Sequence, residues 1–115
     1  MSPVFDKEEL LERVDNDWDF LRETVEMLQT DGRTLMNQIR SSAQAGDAVA
    51  VGRDAHTLKG MISNFCAAAP QASAFEVEKI GKSGDLSAAP AAIQSLQTLL
   101  ESLIAALTDF LATRP

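Results

Sequence analysis

Apolar residues recur along this chain at steps of three and four, the spacing that lines them along one face of an α-helix. Leu10, Leu11 and Val14 form a small apolar face that predicts a short first helix at about 6–14, with Asp6 as its cap. Asp15-Asn16-Asp17 reads as a turn. From Asp17 the second helix carries Trp18, Leu21, Val25 and Leu28, and the series resumes at Leu35 and Ile39. The missing step falls on Gly32. One long helix to about Ala43 is therefore expected, kinked or loosened near Thr30–Arg33, since glycine inside a helix costs about 1 kcal/mol relative to alanine.

Ala45-Gly46-Asp47 stops that helix with a glycine and caps the next with an aspartate. Ala48, Val51, Ala55, Leu58, Ile62 and Phe65 line the third helix. Pro70 suits the first turn of a fourth, which carries Ala74, Phe75, Val77 and Ile80. Gly81 to Gly84 is expected to stop it, and Asp85 or Ser87 to open the last helix, with Ile93, Leu96, Leu100, Leu103, Leu107 and Phe110. No alternating run long enough for a strand interrupts the pattern. The expected fold class is all-α: an antiparallel up-down four-helix bundle at about 17–113 with a short extra N-terminal helix. All of residues 1–115 form one domain. Trp18 and Phe20 are expected to be core anchors of the second helix.

Composition removes several kinds of function. With 115 residues the chain has room for one hydrophobic core. Hydrophobic residues at 45% and charged residues at 23% are globular rather than disordered proportions. One Cys excludes an internal disulfide, and one His with one Cys cannot furnish an ordinary zinc site, so no metal site is expected. Of the net charge of −7, all belongs to residues 1–31, where ten acids face three bases, and the remainder is balanced. An acidic chain repels phosphate backbones, so nucleic acid is not an expected partner. The first residues lack the apolar region of a signal peptide. Glu101 and Asp109 break the most apolar stretch, Leu99 to Leu111, so no membrane span is expected and the chain reads as cytoplasmic.

The single imidazole, His56, stands out by position. On a helical wheel of the third helix it lies roughly 130° from the centre of the apolar stripe, on the solvent side. Lys59 lies roughly 70° away at the boundary, and Gly60 almost opposite the core. Gly52 and Ser63 fall on the side of His56. Two glycines inside one helix cost about 2 kcal/mol against alanine, and the wheel turns both outward. Locally unfavourable residues on a solvent face point to function, here clearance for a macromolecule approaching the imidazole. Lys59, three residues on, is its neighbour. A mostly neutral, nucleophilic imidazole beside a cation suits phosphoryl transfer, where charge on the transferred oxygens must be stabilised. A proton-abstracting triad would need an orienting carboxylate, and Asp54 faces elsewhere. Cys66, near the end of the stripe, reads as packing rather than a redox site.

The string Ala55-His56-Thr57-Leu58-Lys59-Gly60 resembles the signature of the histidine-containing phosphotransfer (HPt) domain family. Ala45-Gly46-Asp47 upstream and Asn64-Phe65, Phe75-Glu76 and Gly84-Asp85-Leu86 downstream are similar to that family's pattern. The resemblance covers nearly the whole chain. It implies a phosphorelay intermediate of two-component signalling, in which His56 takes a phosphoryl group from a receiver-domain aspartyl phosphate and passes it to another receiver aspartate. Lys59 would help hold the phosphoryl charge. Gly60 and Gly52 would leave room for the receiver, Ser63 and Asn64 would lie near the docking rim, and exposed Val49 would join the docking patch, with Met27 a further candidate. The implied partners are response-regulator receiver domains and a hybrid sensor kinase, and the protein itself is expected as a monomer. No cofactor is expected on this chain; Mg2+ is expected on the receiver. No nucleotide-binding motif is present, so the protein is expected to be an intermediate rather than a kinase.

Two residues depart from the family's pattern, both in the turn into the fourth helix: Cys66 where a small glycine is common, and Pro70 where an apolar helix residue is common. An alternative is a helical module that binds receivers without transferring phosphate, in which binding would survive loss of His56. A helix-bundle hydrolase would need a nucleophile paired with His56, which the sequence does not supply.

Overall fold

Three aspartates start three of the helices by taking a backbone N–H that the first turn leaves free. Asp6 accepts from the Glu9 N–H at 3.0 Å, Asp17 from Phe20 at 3.0 Å and Asp47 from Ala50 at 3.1 Å. In a computed structural model that describes residues 4–115, these caps open α1 (Lys7–Arg13), α2 (Trp18–Met27) and α4 (Ala48–Ser63). Between them α3 spans Arg33–Gln44; α5 (Ala68–Ser83) and α6 (Ala89–Leu111) follow. Residues 1–3 of the expected span lie outside the described residues.

α2 and α3 form one continuous rod. The segment Leu28–Gly32 joins them as a π-helical turn, with helical backbone angles on both sides. The loosening falls where Gly32 interrupts the apolar series, and Gly32 is buried. A Cβ there would lie 3.1 Å from Leu28 Cδ1 and 3.7 Å from Leu58 Cδ1, so these side chains fill the space a larger residue would take. Thr30 and Thr34 turn their hydroxyls onto the Glu26 and Thr30 carbonyls, a type of bond that bends helices.

The rod, α4, α5 and α6 make an antiparallel bundle. Polar pairs fix the direction of the rod against α6: Asp19 meets Arg114, Gln29 meets Thr108 and Arg33 meets Glu101, so one number rises as the other falls. Inside, Leu21, Val25, Leu28, Ile39, Val51, Leu58, Ile62, Leu96, Leu100, Leu103 and Leu107 are buried. α1 closes one end. The Asp6 N–H donates to the Cys66 carbonyl at 3.0 Å, and the Arg13 guanidinium donates to the Ser63 carbonyl at 2.8 Å. The Phe110 ring packs between Phe5 and Trp18, with centroids at 5.4 and 5.0 Å. By length and composition α6 is apolar enough to cross a membrane, a test that a bundle's core helix also passes.

The structure corrects the expected elements in several places. α5 ends within the expected stretch Gly81 to Gly84, at a left-handed cap on Gly84 with φ +78°, but Gly81 itself is buried inside the helix. The last helix opens at Ala89 behind Ala88, with Pro90 in its first turn, rather than at Asp85 or Ser87. Those two residues form a local turn in which Asp85 accepts from the Ser87 N–H at 3.0 Å. Phe20 is exposed rather than a core anchor, whereas Trp18 is partly buried on the core. Phe75 is likewise exposed, outside the stripe of Ala74 and Val77. In the turn after α4, Cys66 adopts φ +55°, a left-handed conformation in which glycine is unstrained. Pro70 is buried in the first turn of α5, where its missing N–H breaks no helical bond.

Candidate functional site

α4 and α5 touch backbone to backbone at a pair of glycines. A Cβ on Gly81 would lie 2.6 Å from Gly52 Cα and 2.9 Å from the Ala48 carbonyl oxygen, so no larger residue fits without moving a helix. The contact is less tight in the other direction: a Cβ on Gly52 would meet Lys82 N at 3.4 Å. Gly52 is thus buried against α5, not turned to solvent as the wheel predicts. A wheel with one inward stripe misses a helix that is covered on a second side. Gly60 is as expected, with no described residue within 4 Å of the position its Cβ would take.

This close approach brings Glu78 of α5 beneath His56 of α4. The Glu78 side chain is 2% exposed, and its Oε2 lies 3.0 Å from His56 Nδ1. A carboxylate can only accept, so Nδ1 carries the proton and donates. That tautomer leaves Nε2 as the ring nitrogen with the free lone pair. The His56 side chain is 65% exposed. Among the described residues no hydroxyl or thiol is one of its hydrogen-bond partners.

Two ammonium groups face the same carboxylate. Lys82 Nζ donates to Glu78 Oε2 at 2.7 Å, and Lys59 Nζ lies 2.7 Å from Oε1. The Lys59 contact is a close ion pair without hydrogen-bond alignment, and Oε1 has no other polar partner among the described residues. The Lys59 ammonium, then Lys82, hold the Glu78 carboxyl down to about 2 against the opposing effect of burial, with His56 adding a smaller pull. One carboxylate and two ammoniums leave the site with net positive charge, which favours an arriving phosphoryl group.

His56 opens on a groove of about 480 Å³ lined by Val49, Gly52, Arg53, Thr57, Gly81 and Lys82 among others. Lys59 lies instead in the neighbouring groove with Gln71 and Phe75, its Nζ 4.8 Å from the Phe75 ring centroid. Val49 is 80% exposed and Met27 56%. Ser63 ends α4 and donates to the Gly60 carbonyl at 2.6 Å, and exposed Asn64 caps the helix. Asp54 faces away from His56 towards α3 and pairs with Arg53 at 3.1 Å.

The geometry adds Glu78, Lys82 and Gly81 to the residues singled out from sequence. The Phe75-Glu76 pair is not part of the cluster's carboxylate: Glu76 is exposed and pairs with Lys79 at 3.0 Å. Glu78 had a signal of its own. It lies four residues after Ala74 and three before Gly81, on the inward face of α5, where an unpaired acid would be costly.

An all-α bundle presenting one exposed imidazole, seated on a buried carboxylate and flanked by lysines, has the features of a phosphoryl carrier. The Hpt domain family model matches residues 23–106, and the chain belongs to that family. It is a phosphotransfer intermediate of two-component phosphorelay signalling. In fold the chain is similar to the crystal structure of histidine-containing phosphotransfer protein B (HptB) from Pseudomonas aeruginosa PAO1, with a TM-score of 0.88 and 23% identity over 97% of each chain. No curated protein sequence matches it.

Proposed function

We propose that His56 is the phosphoryl acceptor and donor, and that Nε2 is the reacting atom. The contact between Nδ1 and Glu78 Oε2 carries this reading, because it selects the tautomer of the neutral ring in which the outward nitrogen holds the lone pair. Nε2 attacks the phosphorus of an aspartyl phosphate on a receiver domain. A P–N bond forms, the P–O bond breaks, and its electron pair leaves on the receiver's aspartate. The proton stays on Nδ1, so the ring becomes an imidazolium whose charge Glu78 balances. Transfer onwards reverses these steps with a second receiver aspartate.

The lysines supply the positive charge that phosphoryl transfer uses, and Mg2+ on the receiver supplies the rest. Gly60 leaves the approach open, Val49 and Gly52 line the groove beside His56, and Ser63, Asn64 and Met27 are proposed as further docking contacts. Hybrid sensor kinases and response regulators are the proposed sources of those receivers. The protein is proposed to act as a cytoplasmic monomer, with phosphate arriving from receivers rather than from ATP. A phosphorylated receiver with Mg2+ is expected to label the wild type and leave His56→Gln unlabelled. Equal labelling of the two proteins would refute the assignment.

A further inference from the structure

We propose that Lys82, not Lys59, is the ammonium that takes hold of the phosphoryl oxygens once His56 carries the group. The proposal rests on the reading of His56 as phosphoryl acceptor and assigns the cation within that site. Lys82 borders the groove into which the imidazole opens, whereas Lys59 lies in the groove on the other side, beside Phe75. Lys82 Nζ and His56 Nδ1 share a single oxygen, Glu78 Oε2, at 2.7 and 3.0 Å, so the ammonium already sits beside the ring. The Lys82 side chain is 67% exposed and free to swing; that of Lys59 is 24% exposed and flanked by the Phe75 ring.

What each lysine would leave behind decides between them. If Lys82 swings to the phosphoryl group, Oε2 keeps the Nδ1 proton of an imidazolium that has just become cationic, and Oε1 keeps Lys59. If Lys59 swung out instead, Oε1 would be left buried with no polar partner among the described residues. Stranding a buried carboxylate oxygen carries a heavy desolvation penalty, whereas moving Lys82 takes one donor from Oε2 and leaves it the other. Lys59 is then the fixed counter-ion that keeps Glu78 ionised, and Lys82 exchanges one anion for another.

The side-chain ammonium signals of 15N-labelled protein test the assignment, read before and after His56 is phosphorylated with potassium phosphoramidate or a charged receiver. The Lys82 Nζ signal is expected to shift on phosphorylation while the Lys59 Nζ signal holds its place. Lys82→Gln is expected to slow transfer about tenfold, the effect of one charge-assisted contact, with little change in thermal midpoint. Lys59→Gln is expected to lower the thermal midpoint. Movement of the Lys59 signal with a still Lys82 signal, on a protein phosphorylated at His56, overturns the assignment. Failure of His56 to take phosphate from either donor overturns the underlying reading of the site instead.

Discussion

Glu78 has two duties, accepting the Nδ1 proton of His56 and balancing Lys59 and Lys82, and substitutions can separate them. Glu78→Gln keeps the shape and removes the charge. Its amide can donate as well as accept, so it releases the ring from the Nδ1–H tautomer. The expected result is a phosphotransfer rate about tenfold lower, read with a charged receiver, in a protein that still folds. The pH dependence has a definite sign. The Glu78 carboxyl in the folded protein is held at about 2, below its ordinary 4.5. Its contribution to stability is therefore complete above pH 4.5 and is lost as pH falls towards 2. Urea midpoints of the wild type should fall across that window more steeply than those of Glu78→Gln. Parallel pH profiles would show that the ion cluster does not stabilise the fold. At this scale the sequence disclosed His56, Lys59 and Gly60, which share one helix whose wheel separates core from solvent. Glu78 and Lys82 reach the imidazole from another helix, and spacing along α4 carries no information about what α5 brings across to it.

The contact between α4 and α5 depends unequally on its two glycines. Gly81→Ala places a methyl group 2.6 Å from Gly52 Cα and must separate the helices. It is expected to lower stability by about 1–3 kcal/mol in urea unfolding and to loosen the His56–Glu78 contact. Gly52→Ala meets its neighbours at 3.4 Å and beyond, and gains helix propensity. Its stability is expected to stay within about 1 kcal/mol of the wild type. Equal losses from both substitutions would contradict the geometry. Helix starts at Asp6, Asp17 and Asp47 were legible because a side-chain cap is a local bond. The start of α6 was not, because Asp85 and Ser87 spend their polar groups on a turn of their own two residues before the helix begins. The role of Gly81 was also hidden, since a glycine that ends a helix and one that admits a neighbouring backbone look alike in one chain.

For the whole molecule, apolar steps of three and four were enough to yield an antiparallel bundle, because each stripe needs a facing stripe and the short turns leave few arrangements. The same arrangement leaves Gly60 clear on the face of α4 that carries the imidazole, with no described residue within 4 Å of its Cβ position. Gly60→Arg should therefore keep the far-UV helical signal and block transfer from a receiver while leaving His56 reactive towards phosphoramidate. Loss of both reactions would show that the substitution harms the site itself rather than the approach to it. The central claim, that Nδ1–H is held by Glu78 and Nε2 takes the phosphoryl group, is tested most directly by long-range 1H–15N correlation spectra of the His56 ring. They are recorded before and after reaction with a phosphorylated receiver and Mg2+. The account predicts the Nδ1–H tautomer beforehand and phosphorus attached to Nε2 afterwards. Phosphorus on Nδ1, or an unchanged His56 ring in a protein that has taken up phosphate, would contradict it.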